Sequence, residues 1–126
     1  MGHEAFLKQA AEAKTRIKQV SADEAETISN QSNALVLDIR EEIEYQQGHL
    51  PKATNVSLSQ LKQKIREVVP DKSAPIVCYC AGGNRGAIAA DALNKMGYTN
   101  VVSIEGGLKA WESIDKDTIN TTEVNS

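Results

Sequence analysis

Apolar residues follow two rhythms along this chain. From Glu4 to Val20, the residues Phe6, Ala10, Ala13, Ile17 and Val20 recur at helical spacing. Lys8, Glu12, Lys14 and Lys18 fall elsewhere, and no Gly or Pro interrupts. The pattern predicts one amphipathic helix over residues 4–19. Ser21 followed by Glu24 reads as an N-cap with a capping box, opening a second short helix through Ile28. The other rhythm is continuous. Ala34-Leu35-Val36-Leu37, Pro75-Ile76-Val77-Cys78-Tyr79-Cys80 and Val101-Val102-Ser103-Ile104 are short unbroken runs, as expected of strands buried on both faces. Asn55-Val56 is a shorter candidate strand. Between the runs, Leu58, Leu61, Ile65 and Val68 mark a helix over 57–69 that Pro70 stops. A further helix runs from Ala87 to Met96 and is closed by Gly97. Another carries Leu108 and Trp111 after the turn Glu105-Gly106-Gly107.

Strand and helix alternate, which predicts an α/β fold: three layers, with a mainly parallel sheet flanked by helices on both faces. Three parts are expected: an N-terminal helical extension over 1–17, one domain over 18–114, and a flexible tail over 115–126, which is nearly devoid of apolar residues. The length of 126 residues fits a single domain with a real core. A net charge of −3 and an aromatic content of 4% argue against a nucleic-acid partner bound through bulk charge or base stacking. No apolar run reaches the roughly 18 residues of a membrane span. Met1-Gly2-His3-Glu4-Ala5-Phe6 matches neither a secretory leader nor a myristoylation site, since Phe6 stands where Ser or Thr is required. A cytoplasmic location is therefore expected, so Asn120-Thr121-Thr122 is not expected to carry a glycan even though it has the acceptor pattern. Two cysteines are too few for a disulfide framework.

Candidate chemistry concentrates in residues 76–86. A buried strand delivers Cys80 to Ala81-Gly82-Gly83-Asn84-Arg85-Gly86, and this loop opens a helix. Open parallel sheets bind ligands beyond the carboxyl ends of their strands. Converging loop N–H groups and the positive end of a helix dipole favour a thiolate there. Such settings lower a cysteine pKa from about 8.5 into roughly the 3.5–7.5 range. Arg85 adds a fixed positive charge. A small core cysteine followed by an ordinary strand-to-helix turn is the plainer alternative.

The wider chain changes that balance. Leu37-Asp38-Ile39-Arg40-Glu41, Glu44-Tyr45 and Gly48-His49-Leu50-Pro51-Lys52-Ala53 resemble the front signature of rhodanese-like domains. Tyr79-Cys80-Ala81-Gly82-Gly83-Asn84-Arg85-Gly86 resembles their active-site loop, and Glu105-Gly106-Gly107 with Trp111 their C-terminal signature. Ala89-Ala90, Leu93 and Gly97-Tyr98-Thr99-Asn100-Val101 resemble the helix and strand between. Lys52 stands where the family usually has Gly, and Gly86 where Ser is common. The resemblance implies a single-domain sulfurtransferase with Cys80 as the nucleophile and Ala81, Gly82, Gly83, Asn84, Arg85 and Gly86 as the substrate cradle. No cofactor is implied. The implied partners are a small anionic sulfur donor such as thiosulfate, or a protein persulfide, and a cyanide or thiol acceptor. The loop from Cys80 through Arg85 has six residues; related phosphatases of the cell-cycle type have one more, so the shorter loop favours sulfur over phosphoryl transfer. A non-enzymatic sulfur-carrier or protein-binding module is the alternative.

Other residues are weighed against plainer roles. Cys78 shares a strand face with Cys80 and reads as a core thiol; a metal pair would need more ligands than His3 and His49 supply. Asp38, at a strand end, is a supporting residue that could accept loop or turn N–H groups. Arg40, also supporting, stands four residues before Glu44, so the two read as a local ion pair if that segment is helical. His49 reads as a turn-fixing residue and Trp111 as core.

Overall fold

In the computed structural model, which describes residues 2–114, the three apolar runs lie side by side. They form β2 (Leu35–Asp38), β4 (Ile76–Tyr79) and β5 (Val101–Ile104). Two shorter strands, β1 (Lys18–Val20) and β3 (Thr54–Asn55), close the edges. The order is β1-β5-β4-β2-β3, and every pairing is parallel.

Both faces of the sheet are covered, which is why its central strands are apolar without alternation. On one face, Leu37, Cys78 and Cys80 pack with Ile65 of α4 (Leu61–Val68) and Leu93 of α5 (Asn84–Lys95). On the other, Val36, Val77 and Tyr79 pack with Ala25 of α2 (Ala22–Ser32) and Trp111 of α6 (Gly107–Ser113). Tyr45 of α3 (Glu42–Gln47) joins this second face. The three-layer α/β architecture is thus as expected, with an N-terminal helix α1 (Gly2–Lys14) added outside α5. Ala10 and Ala13 of α1 are buried against Ala87 and Ile88.

The first helix is shorter than its periodicity predicts. It ends at Lys14, where the Thr15 hydroxyl donates to the Glu12 carbonyl at 2.6 Å and Arg16 N–H to Ala13 at 2.9 Å. Lys18–Val20 is not helical but pairs with Val102–Ile104. Ile17 and Val20 happen to extend the helical spacing, but β5 offers an open edge and tertiary pairing wins. Other boundaries shift too: the helix read over 57–69 is a 3-10 turn at Leu58–Gln60 followed by α4 at Leu61–Val68. α2 continues to Ser32 and is closed by Asn33 in the left-handed region (φ 54°). The edge strand β3 is Thr54–Asn55 rather than Asn55-Val56. The helix expected from Ala87 begins at Asn84, so Arg85 and Gly86 sit in its first turn. The tail over 115–126, including the Asn120 acceptor, lies outside the described residues.

The topology places one crevice. β2 leads into α3 on one face of the sheet, and its neighbour β4 leads into α5 on the other. Adjacent strands whose connections leave in opposite directions open a cleft at their carboxyl ends. Asp38 ends β2 and Cys80 follows β4, so the two flank this cleft.

Candidate active site

Cys80 is the residue at which the buried strand becomes a loop. The loop curls back on the sulfur, and Gly83 N–H donates to Cys80 Sγ at 3.0 Å. Gly83 itself caps α5 in the left-handed region (φ 106°). From the other side, the start of α6 lies directly on the loop. Leu108 N–H donates to the Cys80 carbonyl at 2.8 Å and Lys109 N–H to that of Ala81 at 3.1 Å. A side chain at Gly107 would collide with both carbonyls, so only glycine allows this approach. The Glu105-Gly106-Gly107 motif therefore serves the loop. Enclosed in this way, Cys80 is 2% exposed, whereas a reactive sulfur calls for an open loop.

The charged residues pair differently from the local reading. Arg40 does not meet Glu44. Its guanidinium holds Asp38, with Nη2 2.7 Å from Oδ2 and Nε 3.0 Å from Oδ1, and also donates to the Gly48 carbonyl. Arg40 precedes α3, so it is not one helical turn from Glu44, and a carboxylate already lies two residues away. Asp38 also accepts the Arg40 N–H at 2.9 Å and the Tyr79 hydroxyl at 2.6 Å. It satisfies a turn N–H, as expected, but these partners lie outside residues 81–86. Burial, with Asp38 beside it, pushes the Tyr79 phenol up and keeps it a neutral donor. Asp38 and Arg40 form a buried pair that fixes the end of β2.

Glu44 instead reaches across the cleft to the loop arginine. Arg85 donates Nη1 to Oε1 at 2.7 Å and Nη2 to Oε2 at 2.9 Å, a bidentate clasp between α3 and α5. The Arg85 hydrogen bonds hold the Glu44 carboxyl down at about 2. Arg85 is thus engaged by a carboxylate. Asn84 has a different partner: the ammonium of Lys14, at the end of α1, donates to its Oδ1 at 2.8 Å. Neither Glu44 as Arg85's partner nor Lys14 at the loop was legible, since both pairings join distant parts of the chain. The Glu44-Tyr45 motif was the available signal for the first.

The remaining candidates fall where expected. Cys78 is buried, and burial together with nearby Cys80 pushes its thiol up to about 12. Both cysteines are free thiols. His49 stacks on the Tyr45 ring and its Nδ1 lies 2.8 Å from the Tyr45 carbonyl, fixing the turn after α3. Trp111 is core. Gly86 leaves room for Ser103, whose buried hydroxyl has no hydrogen-bond partner among the described residues. No helix among those residues is long and apolar enough to cross a membrane.

A family model for the rhodanese-like domain matches residues 21–114. The chain belongs to the rhodanese-like family. It is 41% identical over 78 residues to the uncharacterized protein YqhL of Bacillus subtilis (strain 168), a match covering 62% of this chain and 60% of that one. It thus spans less than two-thirds of that relative. It is 40% identical over 73 residues to the thiosulfate sulfurtransferase PspE of Escherichia coli (strain K12), covering 58% of this rhodanese-like chain and 69% of PspE. A solved structure from Rhodopseudomonas palustris CGA009 superimposes with a TM-score of 0.80 at 28% identity, covering 90% of this chain and 93% of that one. That protein is described as of unknown function and a possible tyrosine phosphatase.

Proposed function

We propose that this rhodanese-like domain is a sulfurtransferase that carries a sulfane sulfur on Cys80. The observation that carries the reading is the Gly83 N–H that donates to the buried Cys80 Sγ just beyond the carboxyl end of β4. In the first step the Cys80 thiolate attacks the outer sulfur of thiosulfate, or of a persulfide. The S–S bond of the donor breaks, sulfite or a thiolate leaves with the bonding pair, and Cys80 becomes a persulfide anion. In the second step cyanide or a thiolate attacks the outer sulfur of Cys80, giving thiocyanate or a new persulfide and regenerating the thiolate. Gly83 N–H stabilises the charge on sulfur throughout. The identity to PspE supports the sulfur chemistry, and the six-residue loop supports a sulfur cradle over a phosphate one. Ala81, Gly82, Gly83, Asn84, Arg85 and Gly86 form that cradle; Asp38 and Arg40 hold the opposite wall. We assign the reaction to the cytoplasm, where both thiols stay reduced.

The burial of Cys80 favours one second reading, a carrier that takes up sulfur from a docked partner without turning over small donors. One experiment tests both. The intact chain is weighed after exposure to thiosulfate or, separately, to a protein persulfide, then after cyanide. A gain of one sulfur atom that cyanide removes, with catalytic release of thiocyanate, is the expected result. Loading from a protein persulfide alone supports the carrier. No sulfur from either donor, or hydrolysis of an aryl phosphate dependent on Cys80, overturns the sulfurtransferase reading.

A further inference from the structure

The loop's own cation is already occupied. An anionic donor arriving at Arg85 would have to displace a bidentate carboxylate only 2.7 Å and 2.9 Å away. Lys14 stands differently. Its ammonium lies 2.8 Å from Asn84 Oδ1, an uncharged partner inside the Cys80–Arg85 loop, and it makes no ion pair among the described residues. An exposed ammonium on a flexible four-carbon stem can turn to an incoming anion without giving up a carboxylate. Its backbone, by contrast, is fixed. α1 is held to α5 by buried Ala10 and Ala13 and by Arg16, which donates to both Asp91 oxygens at 3.0 Å and 2.8 Å. α1 also lies outside the residues that the family model matches.

Building on the sulfurtransferase reading, we propose that Lys14 of the N-terminal helix is the residue of this site that recruits anionic sulfur donors. The helix that precedes the family domain thereby completes the donor site, and donor choice depends on it. The role is electrostatic and acts on capture, so it belongs in KM and kcat/KM rather than in the rate of the chemical step.

The test uses the full chain, as wild type and as Lys14→Gln, Lys14→Glu, Lys14→Arg and, as a control on the same helix, Lys8→Gln. Two donors of different charge are compared, thiosulfate as a dianion and methanethiosulfonate as a monoanion, with cyanide as acceptor. Lys14→Gln should lower kcat/KM for thiosulfate by about three- to tenfold through KM, and less for the monoanion. Lys14→Glu should lower it further, Lys14→Arg should restore it, and Lys8→Gln should change it little. The dependence of kcat/KM on ionic strength should flatten in Lys14→Gln, which a purely structural defect would not produce. If wild type transfers sulfur and Lys14→Gln keeps the thiosulfate KM, or loses both donors equally at every ionic strength, this inference is overturned and the sulfurtransferase reading stands. If wild type loads sulfur from a protein persulfide but from neither small donor, this inference is overturned and Cys80 remains a sulfur carrier; if it loads from none of the three, both readings fall.

Discussion

Cys78 and Cys80 are the same residue type, two positions apart on one face, and the proposed chemistry rests on Cys80 alone. Cys78 lies wholly in the core, where burial lifts its thiol to about 12, so its thiolate is negligible at neutral pH. Cys80 meets the Gly83 N–H. Cys80→Ser should therefore abolish sulfur loading, because serine cannot carry a persulfide. Cys78→Ser should keep loading and lose about 1–3 kcal/mol of stability to a buried hydroxyl, read from urea denaturation; an inactive but folded Cys78→Ser would point to a two-thiol relay. A second residue invites the opposite change. Lys52 adopts φ 65°, a conformation that disfavours any side chain with a Cβ. Lys52→Gly should raise stability by about 1 kcal/mol, and a lower urea midpoint would mean the Lys52 side chain outweighs that strain. Ser103 is a third. Its hydroxyl is buried without a partner among the described residues, so Ser103→Ala should be neutral or stabilising by about 1 kcal/mol in the same assay, and a clear loss would reveal a bond to that oxygen.

Among the elements, the strands were readable because a parallel sheet covered on both faces demands continuous apolar runs, and β2, β4 and β5 have them. β1 was not, because Ile17 and Val20, three apart, continue the helical spacing of α1 although they end on opposite faces of the sheet, and only the edge of β5 decides. The same limit hid the clasp between α3 and α5. A sequence rule links Glu44 to a cation one turn away, whereas its true partner, Arg85, lies 41 residues downstream. The cysteine loop was legible as a motif; what it touches, from α1 and α6, was not. The seat of α1 is testable directly. The Arg16 hydrogen bonds hold the Asp91 carboxyl below its ordinary value. A carboxyl whose pKa is depressed on folding stabilises fully above its unfolded value, about 3.9, and loses that contribution as pH falls through the folded value. α1 should accordingly loosen in acid below about pH 4, before the sheet does. Asp91→Asn should produce the same loosening at neutral pH, with amide protection in α1 falling by about fivefold while β4 is unchanged. Equal protection in α1 and β4 under both treatments would assign the attachment to Ala10 and Ala13 alone.

At the scale of the whole molecule, the sheet order fixes where chemistry can occur and also when the chain can fold. Lys18 near the beginning pairs with Val102 near the end of the described chain, while Leu35 pairs with Ile76. Most of the intervening sequence must exist before β1 has anywhere to go. Loop-closure entropy delays such pairings until the contacts that reward them can form. During synthesis, then, the amino-terminal segment leaves the ribosome early and waits as an unpaired strand until Val101–Ile104 emerges. A nascent chain arrested at Asn100 should leave the amides of Lys18–Val20 open to exchange, and protection at that length would mean β1 has another partner. β1 is made well before the strand it pairs with, so a chaperone acting on this protein would meet β1 exposed.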